Sequence, residues 1–323
     1  MREFTYTKAA DAAEAVRLAA AGARYLGGGT NLVDLMREEI ERPTALVDVS
    51  GLAQGITEHP DGSVEIGAAT RNTAVAAHPR IRRDYPVLAR AIVSGASGQI
   101  RNAATVGGNL LQRTRCPYFY DVAARCNKRE PGSGCDARQG FHRTHAVLAT
   151  SAHCIATHPS DMCVALVALD AQVHILGPAG ARVVAVADLY RDPGETPHLE
   201  TVLGPAELIT AVRLPRAVDG AVSTYRKVRD RTSYAFALVS VAAVLRVVDA
   251  TVADVRIALG GVASRPWRAR VAERELLGAP AEPDTFKRAA EAEFRSARPL
   301  PDNAFKVSLA PRVVADVLKG LSG

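Results

Sequence analysis

All five cysteines of this chain lie in one stretch, at positions 116, 126, 135, 154 and 163. Three of them fall within RCPYFYDVAARCNKREPGSGC, a segment broken by glycine and proline and rich in arginine. Thiolates are soft ligands, and several on irregular backbone suit a metal site more than a packed core. Their spacing, C-x9-C-x8-C-x18-C-x8-C, contains no CxxC pair of the zinc type and no compact ferredoxin run. Spacing alone therefore leaves the metal open. His142, His145, His153 and His158 share the region, so a mixed Cys/His zinc knot is the rival to an iron–sulfur cluster. Arg115, Arg125, Lys128 and Arg129 stand close by in sequence. They are expected to stabilise an anionic cluster and raise its potential.

Two glycine-rich turns offer a second chemistry. LGGGTN, Leu26 to Asn31, follows an expected strand and precedes an expected helix capped by Thr30. Consecutive glycines there can point backbone N–H groups at an anion such as a pyrophosphate. TVGGN, Thr105 to Asn109, repeats the theme. The GxGxxG dinucleotide fingerprint is absent, which argues against a nicotinamide site of that type. Asp161, in THPSDM, adds a carboxylate at an expected helix start. No Ser-His-Asp, HExxH or paired-carboxylate arrangement emerges, so hydrolysis has no visible machinery.

The elements that must hold these residues mix strands and helices without a βαβ rhythm, which indicates an α+β fold. FTY, ARYL, ALVDVS and SVEIGAAT read as strands, and Ala10 to Ala21, NLVDLMREEI and YPVLARAIVSGAS as helices. IRNAATVGGNLL reads as turn-rich, MCVALVALDA as an apolar helix, and AQVHIL, ARVVAVADL and AELITAVRL as strands. Beyond a Pro/Gly-bearing linker near Pro215 to Gly220, STYRKVRDRTSYAFALVSVAAVLRV and VADVRIALGGV read as long strands of a separate sheet, and helical patterns from Val271 and from Asn303 close the chain. The chain is long for a single core at 323 residues. Its net charge of +6 is spread over interleaved acids and bases, which disfavours nucleic-acid binding. No apolar run is long enough for a membrane span, and Arg, Asp and Glu interrupt the only candidate signal peptide. A protein made in the cytoplasm, without membrane insertion, is expected.

LGGGTN, QIRNAATVGGN, PSDM, AELI, YRKVRDR with SYAFALVSVAA, GGVASRPWRA and FKVSLAPRVV occur in that order along essentially the whole chain. Together they resemble the FAD-binding subunit of the xanthine dehydrogenase and carbon monoxide dehydrogenase family, nearest to the flavin subunits of bacterial periplasmic aromatic-aldehyde oxidoreductases. The resemblance implies a PCMH or vanillyl-alcohol-oxidase-type FAD-binding domain of two subdomains at 1–217. A smaller α+β domain of the carbon monoxide dehydrogenase flavoprotein type would follow at 221–323. It further implies that Tyr25, Leu26, Gly27, Gly28, Gly29, Thr30 and Asn31 wrap the FAD pyrophosphate, and that Thr105, Gly108 and Asn109 form the second turn. Asp161 would bond polar groups of the cofactor, Leu208 and Ile209 would line the flavin pocket, and Lys227 would stand near the isoalloxazine. Tyr234 would stack close to the ring. The alternative for Lys227 is a surface ion pair with Asp230.

A minority of that family, 4-hydroxybenzoyl-CoA reductase and the aldehyde oxidoreductases among them, carries an insertion holding a [4Fe–4S] cluster. Residues from about 112 to 156 fit that insertion, with Cys116, Cys126, Cys135 and Cys154 as ligands and Cys163 a buried free thiol. The implied assembly is a heterotrimer with a molybdopterin-binding large subunit and a [2Fe–2S] small subunit, passing electrons through FAD to a terminal acceptor. Export to the periplasm would then be as a passenger of a partner bearing a twin-arginine signal. A free-standing flavin oxidase and a zinc-stapled scaffold remain the alternatives.

Overall fold

A computed structural model describes all residues, 1–323. Strands β1 (Thr5–Lys8), β2 (Arg24–Leu26) and β3 (Ala45–Asp48) form a parallel sheet in the order β1-β3-β2. The crossover helix Ala12–Ala20 begins at Asp11, whose side chain accepts from Glu14 N at 2.7 Å, and buries Ala15, Val16 and Ala19. Strands β4 (Ile56–Glu58), β5 (Val64–Gly67), β6 (Gln172–Gly177), β7 (Gly180–Ala185) and β8 (Leu208–Leu214) make an antiparallel sheet in the order β4-β5-β8-β6-β7. Strands β9 (Val222–Val228), β10 (Val239–Val248), β11 (Thr251–Gly260) and β12 (Trp267–Arg268) form a third, antiparallel sheet in the order β12-β11-β10-β9.

The two halves share a core. Helix Asp161–Ala168 is apolar on every side and buried throughout, as expected of a helix enclosed by other elements. It packs against helix Pro86–Ser94 on one side and against β10 and β11 on the other. Strand β10 divides its alternating side chains accordingly. Ala242 and Val244 join the central core, whereas Val239, Val241, Ala243 and Leu245 join a second core. Helices Arg270–Leu276, Pro283–Glu293 and Phe305–Ser322 cover that second face.

Four expectations need correction. Segment STYRKVRDRTSYAFALVSVAAVLRV is not one long strand: it breaks after Val228 and resumes at Val239, so that β9 and β10 pair antiparallel with each other. IRNAATVGGNLL is not merely turn-rich: it holds two short helices, Gly98–Ala103 and Val106–Leu110, capped by Ser97 and Thr105. Segment ARVVAVADL leaves the sheet after Ala185 and turns into helix Val186–Leu189. Thr30 caps nothing; Asn31 is the residue preceding helix Leu32–Arg37.

Residues 112–156 carry little regular structure: helix Pro117–Tyr120, a 3-10 turn at Asp136–Arg138 and a bridge pairing Cys126 with Cys135. Side chains supply the missing order. Arg129 Nη1 donates to the carbonyls of Tyr118 and Phe119 at 2.8 and 2.9 Å, and Asn127 Oδ1 accepts from Gly132 N and Gly134 N. Lys306, fully buried on the last helix, donates to the carbonyls of Thr144, His145 and Gly261 at 3.0, 2.9 and 2.6 Å. That one ammonium ties the segment to the third sheet.

Candidate functional site

The turn after β2 opens onto a cavity of about 370 Å³. Tyr25, Gly27, Gly28, Gly29, Thr30 and Asn31 line it from one side, and Thr105, Gly108, Leu208 and Ile209 line it from others. Backbone N–H groups from Gly27 to Asn31 donate to no protein acceptor, so five adjacent donors edge the cavity and can meet an anion. Gly29 needs glycine for its conformation, at φ +75°. Gly28 needs it for space: a Cβ there would meet Ala103 O at 1.9 Å. The first turn thus packs against the backbone of Ala103 and Ala104, at the entry to the second.

The second turn is built differently from the first. Its N–H groups are spent internally: Val106 N donates to Thr70 O, Gly107 N to Ala68 O, and Gly108 N to Thr105 Oγ1. It presents the Thr105 hydroxyl and a bare Gly108 surface rather than a second row of amides. Asn109 lies behind the turn, where its Oδ1 accepts from Ser160 Oγ at 2.6 Å and Gln112 Nε2 at 2.7 Å. Leu26 is likewise absent from the cavity wall; its carbonyl accepts from Val49 N. Tyr25 donates to Ala206 O at 2.8 Å, and burial pushes its phenol up to about 12.

Asp161 and Lys227 come together, though neither lines the large cavity. Ser160 is the true cap of helix Asp161–Ala168, accepting from Cys163 N at 3.1 Å, which leaves the Asp161 carboxylate free to turn inward. It accepts from Lys227 Nζ at 2.8 Å and from the Tyr225 hydroxyl, with the Lys227 and Asp161 side chains only 4% and 7% exposed. Burial pushes the Asp161 carboxyl up, against the opposing pull of Lys227 and Tyr225. The surface pairing of Lys227 with Asp230 is therefore incorrect: Asp230 pairs with Arg143 instead. Asp161 faces a second cavity of about 200 Å³, which shares Thr157, His158 and Pro159 with the first. Tyr234 lines neither cavity and is 71% exposed; Phe236 of the same loop reaches the second.

Removing one partner of the Lys227–Asp161 pair would strand a buried charge, which typically costs about 3–5 kcal/mol. Lys227→Met should lower unfolding free energy by about that amount in a denaturant titration. Adding Asp161→Asn should recover much of the loss. A single variant within about 1 kcal/mol of the parent would show that the pair carries no such weight.

Cys116, Cys126, Cys135 and Cys154 all line one narrow cavity of about 10 Å³. Burial pushes the Cys116 thiol up to about 12 and the Cys154 thiol up to about 11. Without a bound cation these sulfurs hold their protons, so ligation must displace them. Cys163 stands apart, fully buried with its Sγ 3.0 Å from the Tyr190 hydroxyl. No group of three or more His, Cys, Asp or Glu is disposed to hold a metal ion. His145 approaches the cysteines, its Nε2 3.1 Å from Cys116 Sγ, and His153 lines their cavity. His142 accepts instead from Asp302 N.

The neighbouring cations are mostly committed elsewhere. Arg129 serves carbonyls, Arg125 pairs with Asp136 at 2.7 Å, and Arg115 lies over Tyr120 and Phe236. Lys128 is buried and pairs with Glu200 at 2.7 Å. Sequence reasoning missed Arg113, Glu200 and Tyr190 and offered His158 only as a zinc ligand; all four line the large cavity. His158 Nε2 is buried without a partner, and burial pulls the imidazole down to about 4. Arg113, Glu200 and Tyr190 sit in no local pattern; they converge from separate parts of the chain.

Comparison with known proteins bears on this arrangement. Residues 2–217 match the FAD binding domain in molybdopterin dehydrogenase, and residues 223–319 match the CO dehydrogenase flavoprotein C-terminal domain. The chain is 54% identical over 323 residues, 98% of each chain, to the aldehyde oxidoreductase FAD-binding subunit PaoB of Escherichia coli (strain K12). It is 26% identical over 279 residues, covering 85% of this chain and 80% of the other, to the carbon monoxide dehydrogenase medium chain of Afipia carboxidovorans. Among solved structures, carbon monoxide dehydrogenase from Hydrogenophaga pseudoflava superposes with a TM-score of 0.78 at 24% identity, covering 99% of this chain and 97% of that one. Quinoline 2-oxidoreductase from Pseudomonas putida 86 gives 0.76 at 22% identity, with 99% and 97% covered. These two likenesses speak for the fold.

Proposed function

The chain belongs to the family of FAD-binding subunits of molybdopterin dehydrogenases, and from that premise we propose that it is the electron-transferring flavoprotein subunit of an aldehyde-oxidising molybdenum enzyme. The observation that carries the reading is the row of five unpaired amides at Gly27–Asn31 on a cavity that abuts a four-cysteine lobe. The cavity residues suit FAD. The amides, with the nearby Thr105 hydroxyl, offer donors to a pyrophosphate; Leu208 and Ile209 offer an apolar wall; the bare surface of Gly108 admits close approach. Bound there, FAD would supply one- and two-electron redox chemistry. Asp161, which lines the second cavity, would bond polar groups of the cofactor, and Lys227 acts through Asp161, fixing the carboxylate and its charge.

Cys116, Cys126, Cys135 and Cys154 fit a [4Fe–4S] cluster by donor type and number, and all four line one cavity. A four-iron cube presents its coordination points farther apart than a single ion does, so the lack of a tight mononuclear group tells against zinc more than against the cluster. Partners follow from the same reading: a molybdopterin-binding large subunit that holds the aldehyde, a [2Fe–2S] small subunit, and a terminal acceptor. The medium-chain standing of the carbon monoxide dehydrogenase relative supports this. Export, on the same reading, would be as a passenger of a partner; no helix is long and apolar enough to cross a membrane.

Analysis of the purified chain, made with ample riboflavin and iron, tests the proposal. Acid should release about one FAD per chain, and about four irons with matching acid-labile sulfide should accompany it. Colourless protein would end the proposal. Flavin accompanied by zinc in place of iron would confine it to the flavin.

A further inference from the structure

The large cavity and the cysteine cavity share three wall residues, Thr114, Lys128 and Ala156. Only Lys128 among them is charged. Its side chain is 8% exposed, and its Nζ donates to Glu200 Oε1 at 2.7 Å and Pro197 O at 2.9 Å. An ammonium has three N–H donors, so the third is left without a protein acceptor. Glu200 lines the large cavity and also pairs with Arg113, which in turn pairs with Glu41. Two cations and two anions therefore run as one chain from the glycine turn's helix side to the cysteine lobe.

Resting on the flavin and cluster reading above, we propose that Lys128 is a positioning residue that raises the reduction potentials of both redox sites, with Glu200 as the counter-charge that limits the effect. One-electron reduction adds a negative charge to a site without making or breaking a bond at Lys128. A desolvated ammonium in the shared wall favours the reduced state on either side. The arrangement also gives each variant a sign. Removing the cation disfavours reduction, whereas removing the anion leaves Lys128 and Arg113 less opposed and favours it.

The test is a mediated redox titration of the cofactor-loaded chain. The flavin is followed by absorbance and the cluster by electron paramagnetic resonance. At the potential where the parent cluster is half reduced, Lys128→Met should lower the reduced-to-oxidised ratio by about tenfold, which is about 59 mV for a one-electron couple. Glu200→Gln should raise the ratio, Lys128→Arg should restore it close to the parent value, and the flavin couple should move in the same sense as the cluster. Unmoved potentials in loaded Lys128→Met, or shifts of the same sign in Lys128→Met and Glu200→Gln, would overturn the assignment while leaving the cofactor reading intact. Parent protein lacking iron would overturn both.

Discussion

Gly28→Ala is expected to weaken FAD binding by at least about 100-fold, or about 2.7 kcal/mol. The added methyl would sit 1.9 Å from Ala103 O, 2.6 Å from Ala103 C and 3.0 Å from Ala104 Cα. These are backbone atoms at the entry to the neighbouring turn and cannot swing aside as a side-chain tip would. Relief requires the two turns to separate, which displaces the amides of Gly27 to Asn31 from the cavity edge and exposes Thr105. Overpacking of this kind also costs about 1–3 kcal/mol of stability. Gly98→Ala is the matched control, since a methyl there meets nothing within 4 Å and the backbone is helical. Fluorescence titration of deflavinated protein and a thermal melt give the two readouts. Equal FAD affinity in the Gly28 and Gly98 variants would show that the contact between the turns does not hold the site.

The second large effect concerns sulfur. On the cluster reading proposed above, Cys154→Ala should lose at least about nine-tenths of the iron that the parent binds and the broad visible shoulder, because a cluster held by four thiolates tolerates no missing ligand easily. Cys116→Ala, Cys126→Ala and Cys135→Ala should behave alike. Cys163→Ala should keep its iron, at a cost of about 1 kcal/mol for the lost contact with Tyr190. Iron and sulfide per chain decide the matter. Iron lost from the Cys163 variant, or kept in any of the other four, would mean that the wrong sulfurs have been chosen.

Much of the architecture was legible because it is local. Alternating residues in SVEIGAAT and AQVHIL, and the apolar run of MCVALVALDA, each answer to one neighbouring core. The glycine turns were legible too, but not the difference between them. TVGGN looks like LGGGTN in composition, yet its amides are consumed by Thr70, Ala68 and Thr105, and pairing across dozens of residues leaves no local trace. Lys227 shows the same limit: Asp230 is three residues away, whereas the actual partner, Asp161, is 66 residues distant. Ser160, not Asp161, caps the following helix, and this frees the Asp161 carboxylate. The grouping of Cys116, Cys126, Cys135 and Cys154, and the separation of Cys163, were anticipated through resemblance; spacing alone did not supply them. Arg115, Arg125 and Arg129 looked like counter-ions for an anionic cluster, but carbonyls, Asp136 and aromatic rings claim them first.

The bonds made by residues 298–306 bear on when the lobe can close during synthesis. Arg298 N donates to Val147 O, Asn303 Nδ2 to Ala146 O, and Lys306 Nζ to Thr144 O and His145 O. Until that part of the polypeptide leaves the ribosome, the carbonyls that follow the cysteine loops have no such partners, and the chain around His145 stays loose. Anchoring of the cysteine-bearing lobe is thereby deferred until residues 298–306 have been made, and a ribosome stalled before Arg298 would hold a nascent chain whose carbonyls at 144–147 still lack these donors.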